Sequence, residues 1–211
     1  LSEMYPEALF INVVRDPRAT VSSLIKSNVH KSTTVHSVNR WYMDVMYGLD
    51  MEEKLGEKCM RIYFEELVLR PEKTLIKICN FLDEPYSKEM FNSKDMVKGE
   101  YSKYYSKIHK LLSEKPDESR ISAWENELKA WQVYYIQKNC FMLMEIHKYK
   151  LIDVEKPKFY YMFIAASYLS RLIKLPIQLY QYLIYRRLYL RSYINRKVKL
   201  EGRNKSISIN T

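Results

Sequence analysis

Glycine is scarce in this chain of 211 residues: there are four, and none opens a Gly-rich turn running into Lys and Ser or Thr. A phosphate-cradling loop of that kind is therefore excluded from this stretch of sequence. Cysteine is scarce too. Cys59, Cys79 and Cys140 are odd in number, widely spaced and without metal-ligand spacing, so no metal site is expected and buried free thiols are the default reading. Arg171, Lys174, Pro176, Arg186 and Arg187 break the apolar stretch 159–200. Its runs fall short of the roughly 18 to 20 residues that a membrane-spanning helix needs. Zinc-finger spacing, RNA-recognition aromatics and a helix-turn-helix pattern are all missing, so nucleic acid is not an expected partner. Acidic residues are in deficit: 25 Asp and Glu against 35 Lys and Arg leave a net charge of +10 and a pI near 9.3. That surplus suits anionic partners such as nucleotides, acidic peptides or anionic lipid, without choosing among them.

What is present is concentrated early. Ala8 to Val14 is a nearly continuous apolar run, the pattern of a strand buried on both faces of a parallel sheet, and Val21 to Lys31 is helix-like. Between them lies the basic turn Arg15-Asp-Pro-Arg18, followed by Thr20, Ser22 and Ser23. Open α/β sheets bind ligands at the carboxyl ends of their strands, where helix N–H groups and the positive end of the helix dipole meet an anion. Arg15 would supply a bidentate guanidinium there, and Ser22 or Ser23 a hydroxyl. With Thr20 as N-cap, both serines fall in the first turn. The competing reading makes Asp16 the N-cap and Pro17 the first helical residue, with Arg15 and Arg18 solvated.

Further along, Val38, Trp41, Tyr42, Val45, Met46 and Leu49 mark one apolar helix face, which makes Trp41 a core residue rather than a stacking platform. A strand follows at Met60 to Phe64 and should pair in parallel with the first. Glu65 and Glu66 close it; consecutive residues point apart, so they are read as structural rather than as an acid/base pair. Pro71 opens a helix with Leu75, Ile78, Cys79 and Leu82 inward. Asn92 to Arg120 is polar and reads as a long surface loop, and Trp124 to Met144 as one helix capped by Ser122. His30, His36, His109 and His147 are scattered, with no shared site.

Two segments together, Phe10-Ile-Asn-Val-Val-Arg-Asp-Pro-Arg-Ala-Thr-Val-Ser-Ser-Leu24 and Lys58-Cys-Met followed by Phe64-Glu-Glu-Leu-Val-Leu-Arg-Pro71, resemble the sulfotransferases that use 3'-phosphoadenosine 5'-phosphosulfate (PAPS). The likeness runs over about Ala8 to Tyr149 and is closest to the protein-tyrosine sulfotransferase branch. It implies an α/β fold: a parallel sheet flanked by helices, the P-loop-like sulfotransferase fold lacking its N-terminal part, with a helical basic carboxyl-terminal extension. In that family an Arg at a strand end and a Ser eight positions later hold the nucleotide's 3'-phosphate, the spacing of Arg15 and Ser23. Phe64 stands where a Tyr is usual, near the adenine and 3'-phosphate, and keeps the ring without the hydroxyl. Lys115-Pro116 and Ser122-Ala-Trp124 answer to a Lys near the nucleotide and a Ser that stabilises the transferred sulfuryl group, with spacing one residue shorter. The general base and the 5'-phosphosulfate loop are expected upstream of Leu1, so the chain reads as the carboxyl-terminal part of a larger protein.

The same resemblance implies PAPS as co-substrate without a metal, an acidic tyrosine-containing protein as acceptor, and the lumenal side of the Golgi membrane as location. It leaves a homodimer open. The family's short disulfide from the position of Cys59 is not available, because the cysteine eight residues earlier is Met51 here. Residues 1–150 are expected to form the sulfotransferase part, 151–200 a basic, aromatic-rich amphipathic extension suited to an anionic membrane surface through 159–200 or to packing on the domain, and 201–211 a disordered tail. Two alternatives stand beside this reading: a carbohydrate or small-molecule acceptor, and a non-catalytic binding module with a vestigial nucleotide site.

Overall fold

The computed structural model describes residues 2–27, 32–91 and 117–170, together with 180, 183 and 187. The chain divides into two units, Leu1–Ala165 and Ala166–Thr211. In the first, strand β1 (Phe10–Val14) leads into helices α1 (Pro17–Lys26) and α2 (Thr34–Leu55), then strand β2 (Cys59–Tyr63). Helices α3 (Phe64–Leu69), α4 (Pro71–Leu82), α5 (Ser119–Ser122), α6 (Trp124–Glu127) and α7 (Ala130–Ile146) follow. Residues 160–170 are again helical, the last five of them being the only helical run described at the start of the second unit.

β1 and β2 pair in parallel, Phe10 opposite Cys59 and Val14 opposite Tyr63. Parallel neighbours need a crossover of a dozen or more residues, and α1 with α2 supplies it. The expected two-sided burial of β1 is not what the structure shows. The strand starts at Phe10 rather than Ala8, and its burial alternates: Val14 is buried while Ile11 and Val13 are exposed, Val13 by 54%. Among the described residues the sheet has these two strands, so the odd-numbered face of β1 carries no second layer.

The covered face packs on α2, where Val38, Trp41 and Val45 are buried with Val14, Val21, Ile136 and Met144. Tyr42 and Met46 were expected on that apolar face but are exposed, because each lies just beyond the arc that meets β1 and α7. On α4, Thr74 and Cys79 are the buried residues, and Leu82 at the last turn is exposed. Gly48 lets α2 approach the sheet: a Cβ there would stand 2.5 Å from the Asn12 amide nitrogen. That amide donates to Glu52 Oε1 at 2.7 Å, and Arg61 donates to both Glu52 oxygens, tying β1, α2 and β2 together. Burial alone would raise the Glu52 pKa, but Arg61 and Asn12 hold it below the ordinary value.

The single helix expected over Trp124 to Met144 is two. Leu128 is extended, and Lys129 starts α7 with its N–H bonded to the Gln132 side chain at 2.9 Å. Past α7, Tyr160 is buried in the main core and Phe163 stacks on Trp131 with 5.3 Å between ring centres.

Candidate anion-binding site

Arg15 occupies the junction between β1 and α1, and its backbone is fixed from both sides. Its carbonyl accepts the Trp41 indole N–H at 2.9 Å, and the next N–H, of Asp16, donates to Glu65 Oε1 at 2.9 Å. Glu65 also accepts the Tyr149 hydroxyl at 3.2 Å. It therefore ties the end of β2 to the end of β1, a structural role.

The helix begins earlier than the Thr20 cap would have it. Asp16 is the N-cap, its carboxylate accepting the Arg18 N–H at 2.7 Å, and Pro17 is the first helical residue. Ser22 and Ser23 thus sit in the second turn, where their N–H groups belong to the helix ladder and only their hydroxyls are free to act. The two hydroxyls part company. Ser22 is buried and donates to Glu127, which also accepts Lys26 and whose carboxyl both hold below its ordinary pKa, Lys26 more strongly. Ser23 is exposed and lines a cavity of about 340 Å³ together with Arg15, Thr20, Trp41, Asp44 and Phe64.

The guanidinium of Arg15 is posed rather than paired. Its Nη2 donates to the Arg120 carbonyl at 2.9 Å, its carbon lies 4.2 Å from the centre of the Phe64 ring, and its Nε is buried without a partner. Thr20 Oγ1, on the same cavity, is likewise buried and unpartnered. Burial lowers the Arg15 pKa; Glu65 opposes this and the charge of Arg120 adds to it. Arginine stays protonated regardless, so the cavity holds a fixed cation with a spare donor. Unmet buried donors cost about 1–3 kcal/mol each unless a ligand meets them.

Arg18 is no part of this. Its guanidinium is buried, bonded to Asp16 at 2.6 Å and to Gln137 at 3.2 Å, and lies 4.2 Å over the Trp124 ring. Neither arginine is solvated as the competing sequence reading had it. Phe64 is not a strand residue: β2 ends at Tyr63 and Phe64 opens α3, which turns its ring under Arg15. Tyr63 points elsewhere, its hydroxyl 3.3 Å from His147 Nδ1. Ser122 is exposed at the end of α5 and caps nothing, because α6 starts from Ala123 and α7 from Lys129. Lys115, and residues 92–116 of the expected surface loop, lie outside the described residues.

Sequence reasoning gave Arg120 and Tyr149 no role in the site and read Thr20 only as a helix cap. Arg120 and Tyr149 are more than eighty residues from their partners, and no local pattern marks such pairs. Two other hollows, one of about 470 Å³ between Trp124 and Val154 and one on the surface of α4 beside Arg70, Lys73 and Lys77, have no lining side chain with a buried, unpartnered polar atom. Among the described residues no group of His, Cys, Asp and Glu is placed to hold a metal ion.

Residues 1–88 match the model of the sulfotransferase family. The protein-tyrosine sulfotransferase A of Caenorhabditis elegans is 32% identical over 105 residues, 46% of this chain and 27% of that protein. The protein-tyrosine sulfotransferase of Drosophila melanogaster is 32% identical over 101 residues, 45% of this chain and 20% of that one. The chain thus spans under a third of the length of either relative. Among solved structures, the sulfotransferase domain from the curacin biosynthetic pathway superposes with a TM-score of 0.55 at 19% identity, covering 68% of this chain and 54% of that one. That likeness shows a shared fold, α/β with helices around a small parallel sheet. Over its first 88 residues this chain is similar to the sulfotransferase family, and the curated proteins it resembles include protein-tyrosine sulfotransferases.

Proposed function

We propose that the protein moves a sulfuryl group from PAPS to a hydroxyl, that of tyrosine in an acidic protein segment, and that the cavity at the end of β1 takes the 3'-phosphate of the nucleotide. One observation carries this reading: Arg15, pinned by its backbone and by Phe64, lines the cavity that Ser23 also lines, and its Nε is buried without a partner. A phosphate oxygen meets that need, since charge-assisted hydrogen bonds to guanidinium are about twice as strong as neutral ones. When bound, PAPS supplies the sulfuryl group, whose bond to the 5'-phosphate breaks as the acceptor oxygen bonds to sulfur and gives its proton to a base. This chain's part is to fix the nucleotide so that the reacting atoms stay in line; misplacement of about 1 Å can cost a hundredfold. Ser122, and Lys115 with it, is assigned to the sulfuryl end by resemblance alone.

The reading extends to place and partners. Relatives named for protein tyrosine favour a protein acceptor, and the net charge of +10 favours an acidic one. The reading also puts the protein on the lumenal face of the Golgi membrane, as the family resemblance implies, with the basic, aromatic sequence at 159–200 contributing reversible attachment to anionic lipid, about 1 kcal/mol per basic residue. The test is transfer of labelled sulfate from PAPS by the full-length protein to a tyrosine peptide flanked by Asp and Glu. Incorporation that disappears when the tyrosine is replaced by phenylalanine is expected. Transfer to a sugar hydroxyl but not to the peptide would move the acceptor to carbohydrate, and no transfer at all would leave the non-catalytic reading.

A further inference from the structure

We propose that Tyr5 is itself an acceptor of the sulfuryl group, and that the molecule which modifies it is a second copy of this chain. This rests on the tyrosine reading above and deepens it by naming one acceptor and one partner. Among the described residues, six tyrosines stand exposed: Tyr5, Tyr42, Tyr47, Tyr161, Tyr168 and Tyr180. All but Tyr5 are helical. Tyr5 is exposed by 59%, lies in the turns that precede β1, and its hydroxyl has no hydrogen-bond partner among the described residues. Glu3 and Glu7, two positions to either side, are exposed with it. In a chain of net charge +10 this is a locally acidic tyrosine, the kind of segment that a basic acceptor cleft attracts.

Acidic neighbours alone do not single Tyr5 out. Tyr47 has Asp44 and Asp50 three positions away on either side, but it sits within α2, and presenting it to a cleft would mean opening a helix that carries part of the core. Tyr86 follows Asp83 and Glu84, but it is half-buried and donates its hydroxyl to Glu72 at 3.2 Å. The Tyr5 turn is held by its backbone instead: the Ala8 N–H donates to the Tyr5 carbonyl at 3.0 Å and Lys58 Nζ to the Pro6 carbonyl at 2.6 Å. Those contacts fix the turn and leave the phenol free. They also keep it from its own nucleotide cavity, because Tyr5 precedes the amino end of β1 and the cavity lies at the carboxyl end, a five-residue strand or about 16 Å away. A second copy has no such constraint. In the step, the Tyr5 phenol oxygen bonds to sulfur, the bond from sulfur to the 5'-phosphate of PAPS breaks, the phenol proton passes to a base, and 3'-phosphoadenosine 5'-phosphate leaves.

The experiment is peptide mapping by mass spectrometry of the full-length protein after incubation with PAPS, beside its Tyr5→Phe variant and a tagged Arg15→Ala copy. The wild-type peptide that contains Tyr5 should gain the mass of one sulfuryl group. Tyr5→Phe should abolish that gain and keep transfer to an external tyrosine peptide flanked by Asp and Glu. The tagged Arg15→Ala copy should be labelled on Tyr5 faster when wild type is added, and labelling per molecule should speed up in proportion to protein concentration. Transfer to the external peptide with Tyr5 unlabelled, or with label at Tyr47 or Tyr86 in its place, would overturn the proposal and leave the tyrosine reading standing. Labelling per molecule that is independent of protein concentration would overturn the second copy as the agent. No transfer to the external peptide or to Tyr5 would overturn the tyrosine reading and this proposal with it.

Discussion

Arg15 and Arg18 stand three positions apart in one turn, and the protein uses them in opposite ways. Arg18 turns inward, where Asp16, Gln137 and the Trp124 ring account for its guanidinium on every side. Arg15 lines the cavity, held by a carbonyl and an aromatic face, with its buried Nε unpartnered. The serines one turn on repeat the contrast: Ser22 is consumed by Glu127, and Ser23 is free on the cavity. A basic, hydroxyl-rich turn thus separates into a half that holds α1 against α6 and α7 and a half that is left for a ligand. Residue type does not separate them; the presence of an internal partner does.

The contrast breaks most visibly at Arg18. Arg18→Ala would strand the buried Asp16 carboxylate, and losing one member of a buried pair costs about 3–5 kcal/mol, so the urea midpoint should drop sharply. A loss below about 1 kcal/mol would mean that Asp16 finds water and that the pair is not structural. Glu65→Ala comes next, because it leaves the Asp16 N–H without its acceptor at the strand end; about 1–3 kcal/mol of stability should go, and Glu65→Gln should retain most of it. Phe64→Leu should act on binding rather than folding. Removing a cation–π contact worth about 0.5–2 kcal/mol should weaken 3'-phosphoadenosine 5'-phosphate binding by roughly 2- to 30-fold, and Phe64→Tyr should not.

The smallest effect belongs to His147, which is buried against Tyr63 at the end of β2. Burial first, and the Arg61 charge second, hold its imidazole below its ordinary value, while Glu52 opposes them. The unfolded chain therefore takes up this proton before the folded one does. Stability present above pH about 6.5 is lost as pH falls from there toward the lower folded value. Urea midpoints between pH 7.5 and 5.5 should show a shallow decline that flattens in His147→Gln; an identical slope in that variant would remove His147 as the cause.

Much of this was legible in sequence because it is local. A strand, a basic turn and a helix leave a signature within fifteen residues, Trp41 falls on the period of its helix, and the spacing of Arg15 and Ser23 does bring both to one cavity. Parallel pairing of β1 with β2 followed from the helices between them. What stayed hidden depends on long-range partners. That Ser22 would be spent on Glu127 and that Arg15 would lean on the Arg120 carbonyl are contacts across 105 residues. The start of α1 at Pro17 turned on two caps of comparable merit, Asp16 and Thr20; the Asp16 carboxylate is also committed to Arg18, which fixes that choice. The exposure of Ile11 and Val13 goes with the lack of a neighbouring layer among the described residues, which an apolar run cannot report.

The central claim is that the unpartnered guanidinium of Arg15 is there for a 3'-phosphate. Calorimetry of the full-length protein and Arg15→Ala with 3'-phosphoadenosine 5'-phosphate tests it most directly. Loss of one charge-assisted contact worth about 1.5–3 kcal/mol predicts at least a tenfold fall in affinity, with the unliganded melting temperature unchanged and adenosine 5'-phosphate barely distinguishing the two proteins. Equal affinity of wild type and Arg15→Ala for the 3'-phosphorylated nucleotide would contradict it.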